Sequence, residues 1–252
     1  MTPATRATDT DPWFLEADAP AQLPTLVLFP HAGAGATAYW RLAQHQCAHA
    51  RPLIARLPGR ECRSQETRFT DIRPLVRALA PALRPRLSEN YVLYGHSMGA
   101  LIAFETARLL TLAYNMPPAR LIVSGMEAPQ DSPTGHARHL QSDHELWQTV
   151  AEMGGIPPEI IADASMRQML LPLLRADFEL TDTYTFAAMP LLTCPISAYA
   201  GEADPELPAA AMADWGANTT GAFEHTVLPG DHFFNLDGHS GFAEALSTRL
   251  AE

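Results

Sequence analysis

Tyr91–Leu110 reads YVLYGHSMGALIAFETARLL. Its first four residues are apolar and β-prone, and the residues after position 99 carry apolar side chains at helical spacing. A G-x-S-x-G pentapeptide lies between the two runs, and its glycines permit a tight strand-to-helix turn around Ser97. Such a turn lifts the serine hydroxyl out of the sheet, and the following helix directs backbone N–H groups at a developing oxyanion. We therefore interpret Ser97 as the serine of a nucleophile elbow; the alternative is a serine that only caps a helix.

The composition is that of one globular domain without a membrane span or a disulfide framework. The 252 residues are 47% hydrophobic, which is enough for one substantial core. We expect a loosely ordered leader over residues 1–24 and a single domain over residues 25–252. No basic segment precedes an apolar run at the N-terminus, and no run approaches the ~18 apolar residues that a span needs. The three cysteines are widely spaced, which predicts free thiols and no zinc site, and we expect a cytoplasmic protein.

The distribution of charge is uneven. The net charge of −11 argues against a nucleic-acid partner and against attraction to anionic membranes. All seventeen basic residues are arginines, and ten of them lie between positions 41 and 86. Either these arginines form a solvated helix face with local ion pairs, or Arg60 and Arg63 belong to a docking patch for an acidic partner.

Strand-like runs alternate with helix-like runs along most of the chain. This pattern predicts an α/β fold with a mostly parallel sheet and helices on both faces. Between residues 124 and 195 no run resembles a strand, and three helix-like segments there predict an inserted helical lid over about residues 128–190. The predicted strands cover residues 26–29, 53–57, 91–94, 121–124, 196–200 and 223–228. The predicted helices outside the insertion cover residues 39–50, 72–87, 98–112, 209–217 and 240–250.

A serine hydroxyl near neutral pH needs a histidine to accept its proton and a carboxylate to orient that histidine. In this type of elbow the chain order is serine, acid, base. Asp204 follows the predicted strand at 196–200, and His232 follows the last predicted strand in a Pro-Gly-Asp-His loop. They are the predicted acid and base, and Asp231 is expected to stabilise the loop. Glu127, which follows the strand after the elbow, stays open as an alternative acid.

A loop of small residues follows the first of these strands, with the sequence LFPHAGAGA at 28–36. Small side chains let backbone N–H groups approach a substrate carbonyl, so we assign the oxyanion-hole donors to the amides of Ala32 and Met98. A glycine-rich phosphate loop is the competing interpretation, but the segment lacks the lysine of a P-loop and fits no dinucleotide fingerprint well.

With these parts in place, the chain closely resembles the stand-alone type II thioesterases that accompany polyketide synthases and nonribosomal peptide synthetases, which have an α/β-hydrolase fold. The resemblance covers nearly the whole chain after the leader. Two positions depart from the family pattern: Ala34 stands where a second consecutive glycine is expected, and Glu127 where a basic residue is more common. Besides the elbow, the matching segments are LFPHAG at 28–33, LPGRECR at 57–63, FTDI at 69–72, MGGIP at 153–157, LLRADFE at 173–179, GEAD at 201–204 and GDHFF at 230–234.

The resemblance implies hydrolysis of acyl groups from the phosphopantetheine arm of acyl or peptidyl carrier proteins, which clears misprimed or stalled units. Small acyl thioesters are further expected substrates, a monomer is the default, and nothing in the sequence calls for a cofactor or metal. The apolar underside of the lid should receive the acyl chain, with Met153, Phe178, Leu180 and Phe186 as candidate lining residues; packing within the lid is the alternative role for each.

Three other functions stay open at this point. A product-releasing thioesterase would prefer one long mature acyl chain over short ones. A broad carboxylesterase or lipase would use the same residues on free oxygen esters. A hydrolase fold that serves only as an interaction module would not need a reactive Ser97.

Overall fold

The computed structural model describes residues 11–131, 137–187 and 190–252, whose strands form one seven-stranded sheet. The strand order is β1-β3-β2-β4-β5-β6-β7, and every neighbouring pair is parallel except β1 with β3. The predicted parallel sheet is therefore confirmed, and the six predicted strands are present with ends shifted by one or two residues at most. The strands are β1 (Phe14–Glu16), β2 (Thr25–Phe29), β3 (Arg51–Ala55), β4 (Val92–His96), β5 (Arg120–Ser124), β6 (Ile196–Gly201) and β7 (Phe223–Leu228).

Helices cover both faces of the sheet. Val27 and Phe29 of β2 join the core that contains α2 (Ile72–Leu83) and α3 (Met98–Tyr114). Leu26 and Leu28 join the core that contains α1 (Trp40–Gln46) and α7 (Phe242–Ala251). Because both faces are buried, the strand reads as a continuous apolar run without alternation. The α-helices in the described residues are α1 (Trp40–Gln46), α2 (Ile72–Leu83), α3 (Met98–Tyr114), α4 (Asp143–Met153), α5 (Pro158–Ile161), α6 (Ala164–Asp182) and α7 (Phe242–Ala251).

Two further findings concern the helices. The segment predicted as a helix at 209–217 is a 3₁₀ helix, Ala209–Asn218. Within the described part of the chain, no helix combines the length and the apolar character needed to cross a bilayer.

The expectation of a loosely ordered leader over residues 1–24 is wrong for Phe14–Glu16, and its part at residues 1–10 lies outside the described residues. These residues form β1, which pairs antiparallel with β3 at the edge of the sheet. The side chain of Phe14 is fully buried in the core that contains α2 and α3, which we call the main core. Tertiary packing therefore orders a segment that is too short for its local sequence to reveal a strand.

The predicted insertion lies between β5 and β6 and contains α4, α5 and α6. Ser142 and Glu145 form a capping box at the start of α4, and the side chain of Asp163 caps α6. Gly154 ends α4 in the left-handed conformation, with φ +82°. The helices share a small core of their own, formed by Leu146, Trp147, Val150, Leu171, Leu174 and Phe178.

The two arginines considered for a docking patch, Arg60 and Arg63, are both buried. Arg63 donates to both carboxylate oxygens of Glu66, at 2.8 and 2.6 Å, and to the carbonyl oxygen of Arg56 at 2.8 Å. Its guanidinium carbon also lies 3.8 Å from the ring centroid of Trp13. A guanidinium enclosed in this way does not present its charge to a partner, so the docking-patch hypothesis is wrong for these residues and local pairing explains them.

Candidate active site

Ser97 occupies a strained turn between β4 and α3. Its φ of +53° and ψ of −125° are values that non-glycine residues rarely adopt. Its N–H donates to the carbonyl oxygen of Ser124 at 2.8 Å. A Cβ on Gly95 would collide with the backbone of Gly99, and a Cβ on Gly99 would collide with the carbonyl oxygen of Phe29. Both glycines are needed because backbones approach closely here, and the geometry is that of the predicted elbow.

His232 and Asp204 form a buried hydrogen-bonded pair. Nδ1 of His232 lies 2.8 Å from Oδ2 of Asp204, and the two side chains are 4% and 1% exposed. The other carboxylate oxygen accepts the N–H groups of Glu206 at 2.8 Å and Leu207 at 3.2 Å. An ionised carboxylate only accepts hydrogen bonds, so Nδ1 is the donor in this contact, and in the tautomer with one ring proton Nε2 is left to accept a hydrogen bond.

The loops that carry this pair are bonded to each other. They follow β6 and β7, which are parallel neighbours at one edge of the sheet. The N–H of Glu202 donates to the carbonyl of Leu228 at 2.8 Å, and the N–H of Ala203 donates to that of Gly230 at 2.9 Å. The carboxylate of Asp231 accepts the N–H two residues further on at 2.8 Å, which is the loop-stabilising contact expected for it.

Glu127, the alternative acid, lies half-buried in the loop after β5. It lines a small cavity of about 90 Å³ that also reaches Ser97 and His232. Nδ1 of His232, however, is hydrogen-bonded to Asp204. The geometry therefore favours Asp204 over Glu127 as the partner of the histidine.

The small-residue loop after β2 contains a tight turn. The N–H of Ala34 donates to the carbonyl of His31 at 3.2 Å, and Gly33 has φ +79°, as the third residue of a type II turn requires. Among the hydrogen bonds of the described residues, the N–H of Ala32 has no acceptor. Met98 opens α3, where the first N–H groups have no acceptor within the helix. Both amides assigned to the oxyanion hole are thus free to bind an oxygen.

A buried ion pair, formed by residues outside the loop, contacts this turn. The guanidinium of Arg60 donates to the two carboxylate oxygens of Asp177 at 2.8 and 2.6 Å, and to the carbonyl of Ala34 at 3.0 Å. The carboxylate also accepts the N–H of Gly33 at 2.7 Å. The side chains of Arg60 and Asp177 are 6% and 1% exposed. Sequence reasoning missed this pair because its members are 117 positions apart, although both lie in segments that carry the family resemblance.

Glu61 holds the rest of the loop. Its carboxylate accepts the N–H of Ala36 at 3.1 Å, the N–H of Thr37 at 2.9 Å and the hydroxyl of Thr37 at 2.6 Å. A Cβ on Gly35 would collide with this carboxylate. Adjacent residues of the loop after β3, Arg60 and Glu61, therefore fix the two halves of the small-residue loop.

Three imidazoles meet around Phe233. The ring centroids of His96 and His232 are 5.0 Å apart, those of His31 and His96 are 5.9 Å apart, and Phe233 lies 5.0 Å from both His31 and His232. Burial and, next, the neighbouring His232 lower the pKa of His31 to about 3 and hold the pKa of His96 well below its usual range. Both rings are neutral near pH 7, and Nδ1 of His96 pairs with the hydroxyl of Ser124 at 2.8 Å. Among the described residues, no group of three or more His, Cys, Asp or Glu side chains could hold a metal ion.

An apolar cavity of about 260 Å³ opens beside Ser97 and His232. The small-residue loop forms one wall, and the inserted helices form the other. Met153 and Phe178, two of the candidate lining residues, lie around it. The other large apolar side chains around it are Val150, Ile156, Leu170, Leu174 and Phe233.

The prediction that Leu180 and Phe186 line the same cavity is wrong for the cavity that the described residues form. Leu180 lies two positions after Phe178 on α6, about 200° around the helix, and packs into the main core. Phe186 follows α6; it stacks on Phe104 with centroids 6.4 Å apart and packs under the guanidinium of Arg108.

The comparisons with known proteins agree with this geometry. Residues 24–250 match the protein family described as thioesterase domain. The gramicidin S biosynthesis protein GrsT of Aneurinibacillus migulanus is 33% identical over 239 residues, which are 94% of this chain and 93% of that protein.

Two solved structures are also similar to the chain. The type II thioesterase BorB from the borrelidin biosynthetic cluster superposes with a TM-score of 0.89 at 33% identity, over 96% of this chain and 99% of that one. The RedJ thioesterase from the prodiginine pathway of Streptomyces coelicolor superposes with a TM-score of 0.84 at 34% identity, over 92% and 95%. The chain therefore belongs to the thioesterase domain family and has the α/β-hydrolase fold, with the helical insertion between β5 and β6.

Proposed function

We propose that this protein hydrolyses acyl thioesters on the phosphopantetheine arm of carrier proteins and so removes aberrant or stalled acyl groups from polyketide or nonribosomal peptide assembly. The observation that carries the proposal is the His232–Asp204 pair beside the elbow Ser97, at the mouth of an apolar cavity, in a member of the thioesterase family. The proposed partners are supported by the relatives, which are named for gramicidin S, borrelidin and prodiginine biosynthesis, and by a similar type II thioesterase named for the yersiniabactin NRPS/PKS pathway.

In the proposed acylation step, Oγ of Ser97 attacks the thioester carbonyl while Nε2 of His232 takes the hydroxyl proton. Asp204 keeps the ring in the tautomer that leaves Nε2 free and stabilises the imidazolium that forms. The tetrahedral intermediate then expels the pantetheine thiolate, which takes a proton from His232. The products are the acyl-enzyme on Ser97 and the free thiol of the carrier.

In the proposed deacylation step, His232 removes a proton from water, and the resulting hydroxide attacks the acyl ester. The second tetrahedral intermediate collapses and releases the carboxylic acid, and His232 returns the proton to Oγ of Ser97. Both intermediates place their oxyanion on the N–H groups of Ala32 and Met98, and each such donor is worth about 2.7–4 kcal/mol in known cases. These steps draw only on groups of this chain and water, so the proposed reaction uses no cofactor or metal.

The apolar cavity is the proposed acyl site. Met153 and Phe178 of the insertion contribute to its walls, so the inserted helices act as a lid over the bound acyl chain. Burial of the chain there supplies binding energy at about 25 cal/mol per Å² of apolar surface removed from water.

Intact-mass spectrometry of an acetyl-loaded carrier protein tests this function. The carrier is incubated with the enzyme or with the Ser97→Ala variant. In a parallel reaction the enzyme is incubated with a matched free oxygen ester. We expect loss of the acetyl group only when Ser97 is present, and faster than cleavage of the ester. An intact acyl-carrier beside rapid ester cleavage would identify a small-molecule esterase instead. Strong preference for one long mature acyl chain over acetyl would identify a product-releasing thioesterase.

A further inference from the structure

We propose that Arg60 and Asp177 are positioning residues for the oxyanion hole. Through this pair, the position of helix α6 against the turn governs stabilisation of the tetrahedral intermediate. This inference rests on the proposed function and on the donor role of Ala32. Neither side chain touches the reacting atoms. Both act through the turn that presents the N–H of Ala32.

The contacts of the pair fix two peptide groups that follow that donor in the chain. The N–H of Gly33 belongs to the peptide that follows Ala32, and its bond to Asp177 sets the plane of that peptide. The carbonyl of Ala34 accepts from Arg60, and the N–H of Ala34 closes the turn onto His31. A shift of the pair therefore rotates the turn and moves the N–H of Ala32 away from the oxyanion position.

The charges of the pair lead to the same role. A carboxylate bonded to Gly33 without a counter-charge would oppose the negative charge that develops on the neighbouring substrate oxygen. The two-fold contact from Arg60 neutralises it. Asp177 therefore gives the turn a strong acceptor, and Arg60 removes the electrostatic penalty of having that acceptor near the oxyanion.

Asp177 belongs to α6 of the insertion, whereas Arg60 and the turn belong to the main domain, that is, the part of the chain outside the insertion. Withdrawal of α6 would separate Arg60 from Asp177 and leave the N–H of Gly33 without its acceptor, at a cost of several kcal/mol. Leu174, one turn earlier on α6, also packs against Gly33. Helix α6 is thus held to the turn that presents the N–H of Ala32.

The decisive variant replaces the whole pair by apolar side chains, Arg60→Met with Asp177→Leu. Removing both charges together leaves no unpaired ion, so the variant should fold, with its thermal midpoint lowered only by the loss of hydrogen bonds to the backbone. The N–H of Gly33 and the carbonyl of Ala34 nevertheless lose their partners. With a butyryl-loaded carrier protein as substrate, we expect kcat to fall about tenfold to a hundredfold at nearly unchanged KM, less than the 10²–10³-fold loss of a donor itself.

The matched control is Arg63→Met with Glu66→Leu. Arg63 is as buried as Arg60 and lies in the same segment, but its contacts are to Glu66, Arg56 and Trp13. The kcat of this control variant should stay within about twofold of the wild type, because a loss of packing around Arg63 does not displace the turn that presents Ala32. Asp177→Asn, which keeps an oxygen for Gly33, should retain more kcat than the double variant.

Wild-type kcat in the folded Arg60/Asp177 double variant would overturn the positioning role, and so would an equal loss of kcat in the Arg63/Glu66 control. Failure of the wild-type protein to hydrolyse the butyryl-carrier would instead contradict the proposed function. The two failures are therefore distinguished within one set of measurements.

Discussion

Nδ1 of His232 lies 2.8 Å from Oδ2 of Asp204, although the two residues belong to loops that follow different strands. The remaining oxygen of Asp204 is occupied by two backbone N–H groups, so the carboxylate cannot rotate away without breaking three hydrogen bonds. The pair therefore holds the imidazole of His232 in one tautomer and one orientation.

Asp204→Asn should remove this preference. An amide in place of the carboxylate can donate to Nδ1 and so stabilise the wrong tautomer, and the equivalent change in a serine protease lowers kcat about 10⁴-fold. We expect a loss of similar size in thioester turnover, with KM little changed. Steady-state kinetics on an acyl-carrier measures it.

Glu127→Gln is the control for this assignment. Because Nδ1 of His232 is bonded to Asp204, the Gln variant should keep kcat within about threefold of the wild type. A near-normal Asp204→Asn beside an inactive Glu127→Gln would make Glu127 the acid.

Ser97→Gly should stabilise the protein while it abolishes turnover. A non-glycine residue at φ +53° and ψ −125° costs about 1–3 kcal/mol, and the flexibility of glycine in the unfolded chain offsets about 0.5–1 kcal/mol of the relief. We expect a rise of about 1 kcal/mol in the free energy of unfolding by urea titration. Ser97→Ala keeps the Cβ and should show no such rise; a glycine variant less stable than Ser97→Ala would refute the strain.

Leu170→Trp should shorten the range of accepted acyl chains. Its side chain lines the apolar cavity of about 260 Å³, and an indole there would occupy space that a long acyl chain needs. We expect kcat/KM for octanoyl-carrier to fall at least about tenfold more than that for acetyl-carrier. Phe186 lies outside the cavity, so Phe186→Trp should change kcat/KM for neither octanoyl-carrier nor acetyl-carrier. Equal losses of kcat/KM for both chain lengths in Leu170→Trp would exclude this cavity as the acyl site.

His31 should make the protein sensitive to acid. Its pKa is lowered to about 3 in the folded protein, from 6.5 for an ordinary histidine. Between these values the unfolded chain binds a proton that the folded protein does not, so this part of the stability is present above pH 6.5 and is lost as the pH falls.

The test compares urea unfolding of the wild type and His31→Gln at pH 7 and pH 4.5. The wild type should lose about 2 kcal/mol more than the variant over this interval, because glutamine does not titrate. Equal losses in the two proteins would show that His31 does not resist protonation.

Much of the fold and site follows from local patterns in the sequence. Continuous apolar runs predict the parallel strands because both faces of the sheet are covered, and the order Ser97, Asp204, His232 follows from loops at the strand ends. The geometry of the elbow follows from two glycines whose missing side chains permit close backbone contact.

Other features depend on contacts between distant residues. The strand Phe14–Glu16 has only three residues and forms because β3 offers it an edge. The Arg60–Asp177 pair joins segments 117 positions apart, and composition alone suggested a surface role for Arg60. Leu180 and Phe178 are equally apolar, and only the rotation of α6 against the main domain decides which of them faces the cavity.

The most direct measurement is detection of the acyl-enzyme in a rapidly quenched reaction with butyryl-carrier, by mass spectrometry of the peptide that contains Ser97. We expect a butyryl group on Ser97 to form before free butyrate accumulates, and to persist longer in the variant His232→Ala when it is acylated by an activated ester. Release of butyrate with no modification of Ser97, and undiminished in Ser97→Ala, would contradict covalent catalysis by this serine.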